Sequence, residues 1–454
     1  MSTATPSPAA NQPVPHETCD VLVVGGGPAG STIAALLAQQ GRSVVLVEKE
    51  HHPRFHIGES LLPANVALFE QLGVRDQVER IGMPKFGIEF VSPEHKHCSY
   101  VDFAEAWDKS MPMAWQVRRS QLDELLFRNA ATRGARTVEG CKVRDVAFDA
   151  EGATVQAQLD DGSQRTWRAR FVVDASGRDT LLAHKMRSKQ KNPDHNSTAL
   201  FGHFRNVRRL KGKREGNISI CWFPHGWFWF IPLADGTTSV GAVSWAYYLK
   251  SRGDKPLKQF LLETIALAPE LADRLKDAEL VDDAVHATGN FAYNSTHATG
   301  ERYILLGDAF AFIDPMFSSG VYLAMHSAFD GAELVAKALD KPAELPAARR
   351  AFEAMMRKGP REYSWFIYRV TNPTIREMFM YPANPMRCKE ALMSVLAGDI
   401  YGKTPYRRAL NMFKGIYYMI SLRHPMRTWR GWRRHGHNIR DFGLLQGETI
   451  QQVK

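Results

Sequence analysis

Asp20-Val21-Leu22-Val23-Val24-Gly25-Gly26-Gly27-Pro28-Ala29-Gly30 is the stretch on which the fold turns. Its first half is a short aliphatic run, the pattern of a parallel strand covered on both faces. The spacing G-x-G-x-x-G follows at once and opens an alanine-rich helical pattern, Ser31 to Gln40, closed by Gly41. Val44–Val47 reads as a second strand that ends at Glu48. Strand, glycine turn, helix and strand make a βαβ unit, the setting in which this motif holds a dinucleotide. Gly25 permits the tight turn, Gly27 lets the backbone approach a pyrophosphate, and Gly30 lets the helix pack on the strand, with Ala29 in the same loop. The helix N-terminus adds N–H donors and partial positive charge. Glu48 is placed to accept from a ribose hydroxyl, which disfavours a 2′-phosphate and therefore NADP.

Two later runs, Arg170–Asp174 and Tyr303–Leu306, have the same strand character, so the nucleotide domain is expected to assemble from distant pieces. The expected division is a disordered leader over 1–17, a nucleotide domain over 18–195 and 296–345, a β-sheet domain over 196–295, and a helical, basic region over 346–454. Residues 197–247 alternate apolar and polar with many aromatics, an antiparallel pattern. Within them Trp227-Phe228-Trp229-Phe230-Ile231-Pro232 is an aromatic wall too costly to expose. The plain reading is a core strand, in which alternation would leave one tryptophan lining a passage and the other in the core. The fold class is α/β.

The chain has 454 residues, 44% of them hydrophobic, enough for one large protein or two domains with an appendage. No apolar run reaches about 18 residues, so no membrane span is expected. The five cysteines are scattered, and neither they nor the histidines His51, His52, His56, His95 and His97 show ligand spacing. No metal is expected, and a reducing cytoplasm fits. The net charge of +10 is concentrated: 401–440 holds Lys403, Arg407, Arg408, Lys414, Arg423, Arg427, Arg430, Arg433, Arg434 and Arg440, with no Asp or Glu. Such a segment suits a helical cover with a solvated face, a dock for an acidic carrier protein, or a contact with a membrane surface. No nucleic-acid module accompanies the charge.

Further residues narrow the cofactor. Asp174 begins a turn that would face the dinucleotide, Gly307-Asp308 follows a strand and offers a carboxylate to a ribityl hydroxyl, and Arg119 would pair with phosphate. Their order, with Glu48 and Asp123, resembles the aromatic-hydroxylase class of flavoproteins. Inside that class Gly58-Glu59-Ser60-Leu61-Leu62-Pro63, Trp227–Pro232 and Phe312-x-x-Pro315-x-x-Ser318-x-Gly320 are similar to the motifs of the flavin-dependent halogenases, a likeness spanning roughly 18–335.

The resemblance implies an FAD-binding Rossmann-like domain with an inserted antiparallel sheet, an enzyme using FADH2 from a separate reductase, and chloride or bromide as co-substrate. It implies that Ser319 and Gly320 hold the halide, that Ser318 touches the catalytic lysine, and that this lysine is Lys85. Hypohalous acid would reach Lys85 by a tunnel lined by Trp227, Trp229, Pro315 and Phe317. Tryptophan halogenases carry a glutamate where this chain has Phe317, so the turn resembles the pyrrole and phenol branch, many of whose substrates ride on an acyl or peptidyl carrier protein. Two other readings share some of these residues. An aromatic hydroxylase would use every flavin residue but not Lys85 or Ser318–Gly320. A non-catalytic flavoprotein would bind a carrier or membrane through 401–440.

Overall fold

The computed structural model describes residues 17–289 and 292–440. The leader expected over 1–17 lies outside the described residues, except for Glu17, which opens the first strand. β1 (Glu17–Val24) runs into α1 (Pro28–Gln39), and β2 (Val44–Val47) returns parallel to β1. Pro28 suits the first turn of the helix, where its missing N–H would have no helical partner. The chain then leaves this unit for β3 (Met83–Lys85), β4 (Gly87–Val91), β5 (Ser99–Asp102) and β6 (Ala114–Gln116). It comes back through α2 (Arg119–Thr132) to β7 (Arg136–Val138). The meander β8 (Cys141–Phe148), β9 (Ala153–Leu159) and β10 (Gln164–Asp174) follows, its last strand parallel to β1.

The next strands are β11 (Ser197–Arg205), β12 (Ile218–Phe223), β13 (Gly226–Pro232) and β14 (Thr238–Trp245). Two helices cover them, α3 (Leu257–Ile265) and α4 (Pro269–Arg274), before β15 (Tyr303–Leu305) rejoins the first sheet. The rest is helical: α5 (Gly320–Asp340), α6 (Leu345–Ile367), α7 (Pro373–Met380), α8 (Cys388–Ala397), α9 (Tyr406–Arg423) and α10 (Pro425–Arg440). No helix among the described residues is long and apolar enough to cross a membrane.

The first sheet has seven strands, in the order β7-β2-β1-β10-β9-β8 with β15 beside β10. The second has eight: β11-β14-β13-β12-β4-β5, with the short strands Glu279–Leu280 and His286–Thr288 against β11. The second sheet is therefore not confined to 196–295. It takes in β4 and β5 from 87–102, and β4 lies parallel to β12.

The strands β11 to β14 also depart from the expected apolar-polar alternation, because both faces are covered. Trp227, Trp229 and Ile231 enter the main core, whereas Phe228 and Phe230 enter a second core with Phe260, Leu261 and Ile265 of α3 and Leu271 of α4. Positions two apart on a strand share a face. Both tryptophans consequently stand on the same side, which corrects the expectation that one would line and the other be core.

Candidate active site

The glycine turn has the geometry its sequence demands. Gly25 has φ +102°, and a Cβ there would lie 2.3 Å from the Ala175 carbonyl oxygen. At Gly30 a Cβ would lie 1.9 Å from the Gly25 carbonyl oxygen, so any side chain would drive α1 off the turn. Glu48 is buried and accepts from the Gly26 N–H at 2.7 Å through one oxygen and from the Glu50 N–H through the other. Asp308 stands at the end of β15, and among the described residues no donor satisfies its carboxylate. Burial pushes that carboxyl up to about 6, against the pull of Arg178 and Arg119. Gly307 beside it has φ +51° and packs on Ala324 of α5.

Two of the expected cofactor contacts are engaged within the protein. Asp174 is fully buried, and its oxygens accept from the Ser176 and Leu182 N–H groups, so it shapes its own turn. Arg119 is bidentate to Asp123 at 2.8 and 3.0 Å and donates to the Ile57 carbonyl, so it is already engaged. Although burial opposes it, the Arg119 guanidinium holds the Asp123 carboxyl below its ordinary range. The cation that stands over the loop is Arg54, which the sequence reading passed over. One of its terminal nitrogens lies 3.5 Å from where a Gly27 Cβ would be, and its buried Nε has no hydrogen-bond partner. It bridges Glu48 at 3.6 Å and Asp123 at 3.5 Å. An open glycine cradle, an unpaired arginine N–H and an unpaired carboxylate at Asp308 fit an FAD whose diphosphate lies against Gly27 and Arg54.

Lys85 ends β3 and is completely buried. Its Nζ donates to Ser60 Oγ and to the Leu61 carbonyl, each at 2.9 Å, and lies 5.2 Å from the centre of the Phe103 ring. No carboxylate pairs with it among the described residues, and burial pushes its ammonium down to about 7. The expected hydroxyl partner was Ser318. The partner is Ser60 instead, because Ser60 pairs with Gln116 while β3 runs beside β6 on the other side of the same strand.

The aromatic wall is set by close packing. Trp229 donates from Nε1 to Ser239 Oγ at 3.1 Å, and its ring fills the space above Gly241, where a Cβ would come within 2.2 Å. Trp227 is its neighbour at 6.3 Å between ring centres, and Phe201 lies on the other side at 5.6 Å.

Pro315–Phe317 forms one turn of 3-10 helix, capped by Asp314, and Ser318 follows with φ +56°. Ser319 is the residue before α5, yet its side chain makes no capping hydrogen bond. The first amides of a helix have no partner within it, and a Cβ at Gly320 would meet nothing within 4 Å. The start of α5 therefore leaves N–H groups without a helical partner, an arrangement suited to an anion. The Phe317 ring packs on Tyr363 and Phe366 of α6, which anchors the turn. Pro315 is half-buried in the same turn.

Two buried histidine pairs carried no sequence signal. His203 Nε2 lies 2.6 Å from Glu59 Oε1, next to Ser60, and Glu59 Oε2 has no partner. His195 Nε2 lies 2.9 Å from Asp314 Oδ2, which also accepts from Ser197, so the Pro315–Gly320 turn is tied to the start of β11. In both cases the partners are more than a hundred residues apart, and only the topology brings them together.

Residues 18–346 match the model of the FAD binding domain family. A tryptophan 2-halogenase of Chondromyces crocatus is 34% identical over 339 residues, 73% of this chain and 64% of that protein. The chain thus spans under two thirds of that relative's length. A 1H-pyrrole-2-carbonyl-[peptidyl-carrier protein] chlorinase of Pseudomonas fluorescens is 30% identical over 84% of this chain and 89% of its own. Among solved structures, a flavoprotein/dehydrogenase of Cytophaga hutchinsonii superposes with a TM-score of 0.81 at 30% identity, covering 90% of this chain and 100% of that one. The myxobacterial chondrochloren halogenase CndH, an FAD-dependent halogenase, gives 0.74 at 32% identity, covering 86% and 92%. Matches of this identity and coverage make the chain a member of the flavin-dependent halogenase family, built on an FAD-binding domain.

Proposed function

We propose that this chain is an FADH2-dependent halogenase. It uses O2 and chloride or bromide to make hypohalous acid, then transfers the halogen to an activated phenolic or pyrrolic ring held on a carrier protein. The observation that carries the proposal is Lys85: a fully buried amine without a carboxylate, held by Ser60 and Leu61. Such a group is expensive to keep and is more often functional than structural.

Bound as FADH2, the cofactor supplies the electrons that let O2 oxidise the halide. Gly25, Gly27, Ala29, Gly30 and Arg54 would cradle its diphosphate, Glu48 would accept from a ribose hydroxyl through the lone pairs that Gly26 and Glu50 leave open, and Asp308 would accept from the ribityl chain. The N–H groups at Ser319 and Gly320 hold the halide without a competing carboxylate. Trp227 and Trp229 keep the substrate ring from the flavin, so the oxidant crosses and the ring does not. At Lys85 the ammonium donates to the hypohalous oxygen and makes the halogen electrophilic. The ring attacks the halogen, the oxygen leaves as water, and the ring proton is lost.

The division into a nucleotide domain, a substrate-side sheet and a helical basic region belongs to the same proposal. The carrier rests on the Pseudomonas relative, whose name specifies a peptidyl-carrier-bound pyrrole and whose length is the better covered, and on Phe317 at the position where the resemblance leads one to expect a glutamate in tryptophan halogenases. A separate flavin reductase completes the scheme.

The test is Lys85→Met. Ring halogenation should fall by about a hundredfold or more, the scale of losing one transition-state donor, while flavin binding and halide-dependent formation of a trappable hypohalous acid persist. Normal yield from this variant would remove the lysine. A hydroxylated product made with NADPH and no reductase would replace the halogenase reading with the hydroxylase one.

A further inference from the structure

A cavity of about 650 Å³ opens between α7 and α10, and none of the flavin-loop residues lines it. Its walls carry Arg376, Arg423, Arg427, Arg430 and Arg434, and Glu94 is the one carboxylate among the lining residues. Arg376 donates to Glu94 at 2.6 Å, so this acid is already taken. Arg427 also reaches Glu377 at 3.4 Å, and Arg423, Arg430 and Arg434 line the same space. Like charges are not brought together on a concave surface without cost.

The deep end of the cavity is built. Arg376 is only 8% exposed, and its Nε has no hydrogen-bond partner. Burial presses its guanidinium below its ordinary range, and the Arg427 and Arg434 cations add to this while Glu94 opposes it. The Arg376 guanidinium lies 5.7 Å from the centre of the Trp222 ring, and Trp222 sits directly opposite Trp227 in the β12–β13 register. Trp222 therefore lies between Arg376 and the strand that carries Trp227.

We propose that this cavity binds the phosphodiester of a phosphopantetheinyl arm, the prosthetic group by which a carrier protein holds its acyl cargo. The inference rests on the carrier-tethered reading given above and adds a site for it. Arginine suits the ligand because its planar fork meets phosphate oxygens in pairs. The phosphate sits among Arg427, Arg430 and Arg434, and the pantetheine chain runs inward past Trp222 toward the wall. Leu422, Trp429 and Trp432 are exposed on α9 and α10 and offer an apolar landing for the carrier itself. A bilayer surface would also meet those three side chains, but it has no use for a cavity floored by a buried arginine.

The experiment uses the full chain and the variant Arg427→Gln/Arg430→Gln/Arg434→Gln, whose changes leave the Arg376–Glu94 pair intact. Binding is measured with 4′-phosphopantetheine, pantetheine, inorganic phosphate and phosphatidylglycerol vesicles. Turnover is measured with a pyrrole-loaded carrier and with the same acyl group on a short phosphate-free thioester. The proposal expects binding of phosphopantetheine but not of pantetheine. It also expects about a tenfold or greater loss of kcat/KM on the loaded carrier in the variant, the size expected when charge-assisted contacts are lost, and unchanged turnover of the thioester. Equal kcat/KM of wild type and variant on the loaded carrier overturns the site and leaves the carrier reading standing. A wild type that turns over the thioester but no loaded carrier overturns the carrier reading and the site with it. Arginine-dependent vesicle binding without phosphopantetheine binding assigns the surface to a membrane and overturns the proposal, as does equal affinity for inorganic phosphate and phosphopantetheine.

Discussion

Burial pushes the Lys85 ammonium down to about 7, so its charge changes near neutrality. In the proposed mechanism the ammonium donates to the oxidant, so ring halogenation should decline as pH rises above 7, by up to about tenfold per unit once the amine dominates. The check is a pH profile of product with flavin reduction held constant; a rate that climbs from pH 7 to 9 would assign the neutral amine instead. The same shift fixes a stability trend. The folded value lies below the unfolded one, so between them the unfolded chain binds more protons and stability rises with pH. Below about 7 the full cost of the buried charge is present. Lys85→Met should therefore raise the melting point more at pH 6 than at pH 10, with a gain of about 1–4 kcal/mol at the acid end. Lysine at 85 could be nominated from its neighbours and the family motif. Its contact with Ser60 could not, because it depends on a strand pairing with Gln116 that no local pattern announces.

At the scale of the element, the βαβ unit was legible almost to the residue, since a run of three valines and a leucine, three spaced glycines and an alanine helix admit few other folds. The second sheet was less so. Its strands are covered twice, and a two-sided core erases the apolar-polar contrast on which a strand's facing is judged. Two substitutions probe how that sheet is held. Gly241→Ala places a methyl within 2.2 Å of the Trp229 ring; the expected cost is about 1–3 kcal/mol, with a shift in tryptophan emission as the ring moves. Arg274 of α4 is bidentate to the buried Glu89 of β4 at 2.7 and 2.9 Å. Arg274→Met would strand that carboxylate and should cost about 3–5 kcal/mol by chemical denaturation. Despite burial, Arg274 holds the Glu89 carboxyl below its ordinary value. That contribution is present above the unfolded value and fades in acid, so wild type and variant should converge as pH falls below about 4.

For the whole molecule, the basic segment over 401–440 is two structures and not one. α9 buries Tyr406, Leu410, Phe413 and Tyr417 in the main core, whereas α10 leaves Met426, Trp429 and Trp432 exposed. A chain ended before Tyr406 should lose its cooperative melt. One ended after His424 should keep its fold and its flavin, with the comparison made by calorimetry and bound-flavin absorbance. Charge counting identified the segment but not this split, because the cations lie along both helices while the buried aromatics lie along one.

The placement of β4 has a practical consequence. Lys85 is two residues from Gly87, where β4 joins the wall-bearing sheet beside β12. Lys85 is thus spliced to the sheet that carries Trp227 and Trp229, although they lie far apart along the chain. An engineer who grafts 197–245 from a cousin to change cargo should bring 83–102 along in the same cassette. Otherwise the donor's sheet and the host's lysine will come from mismatched castings.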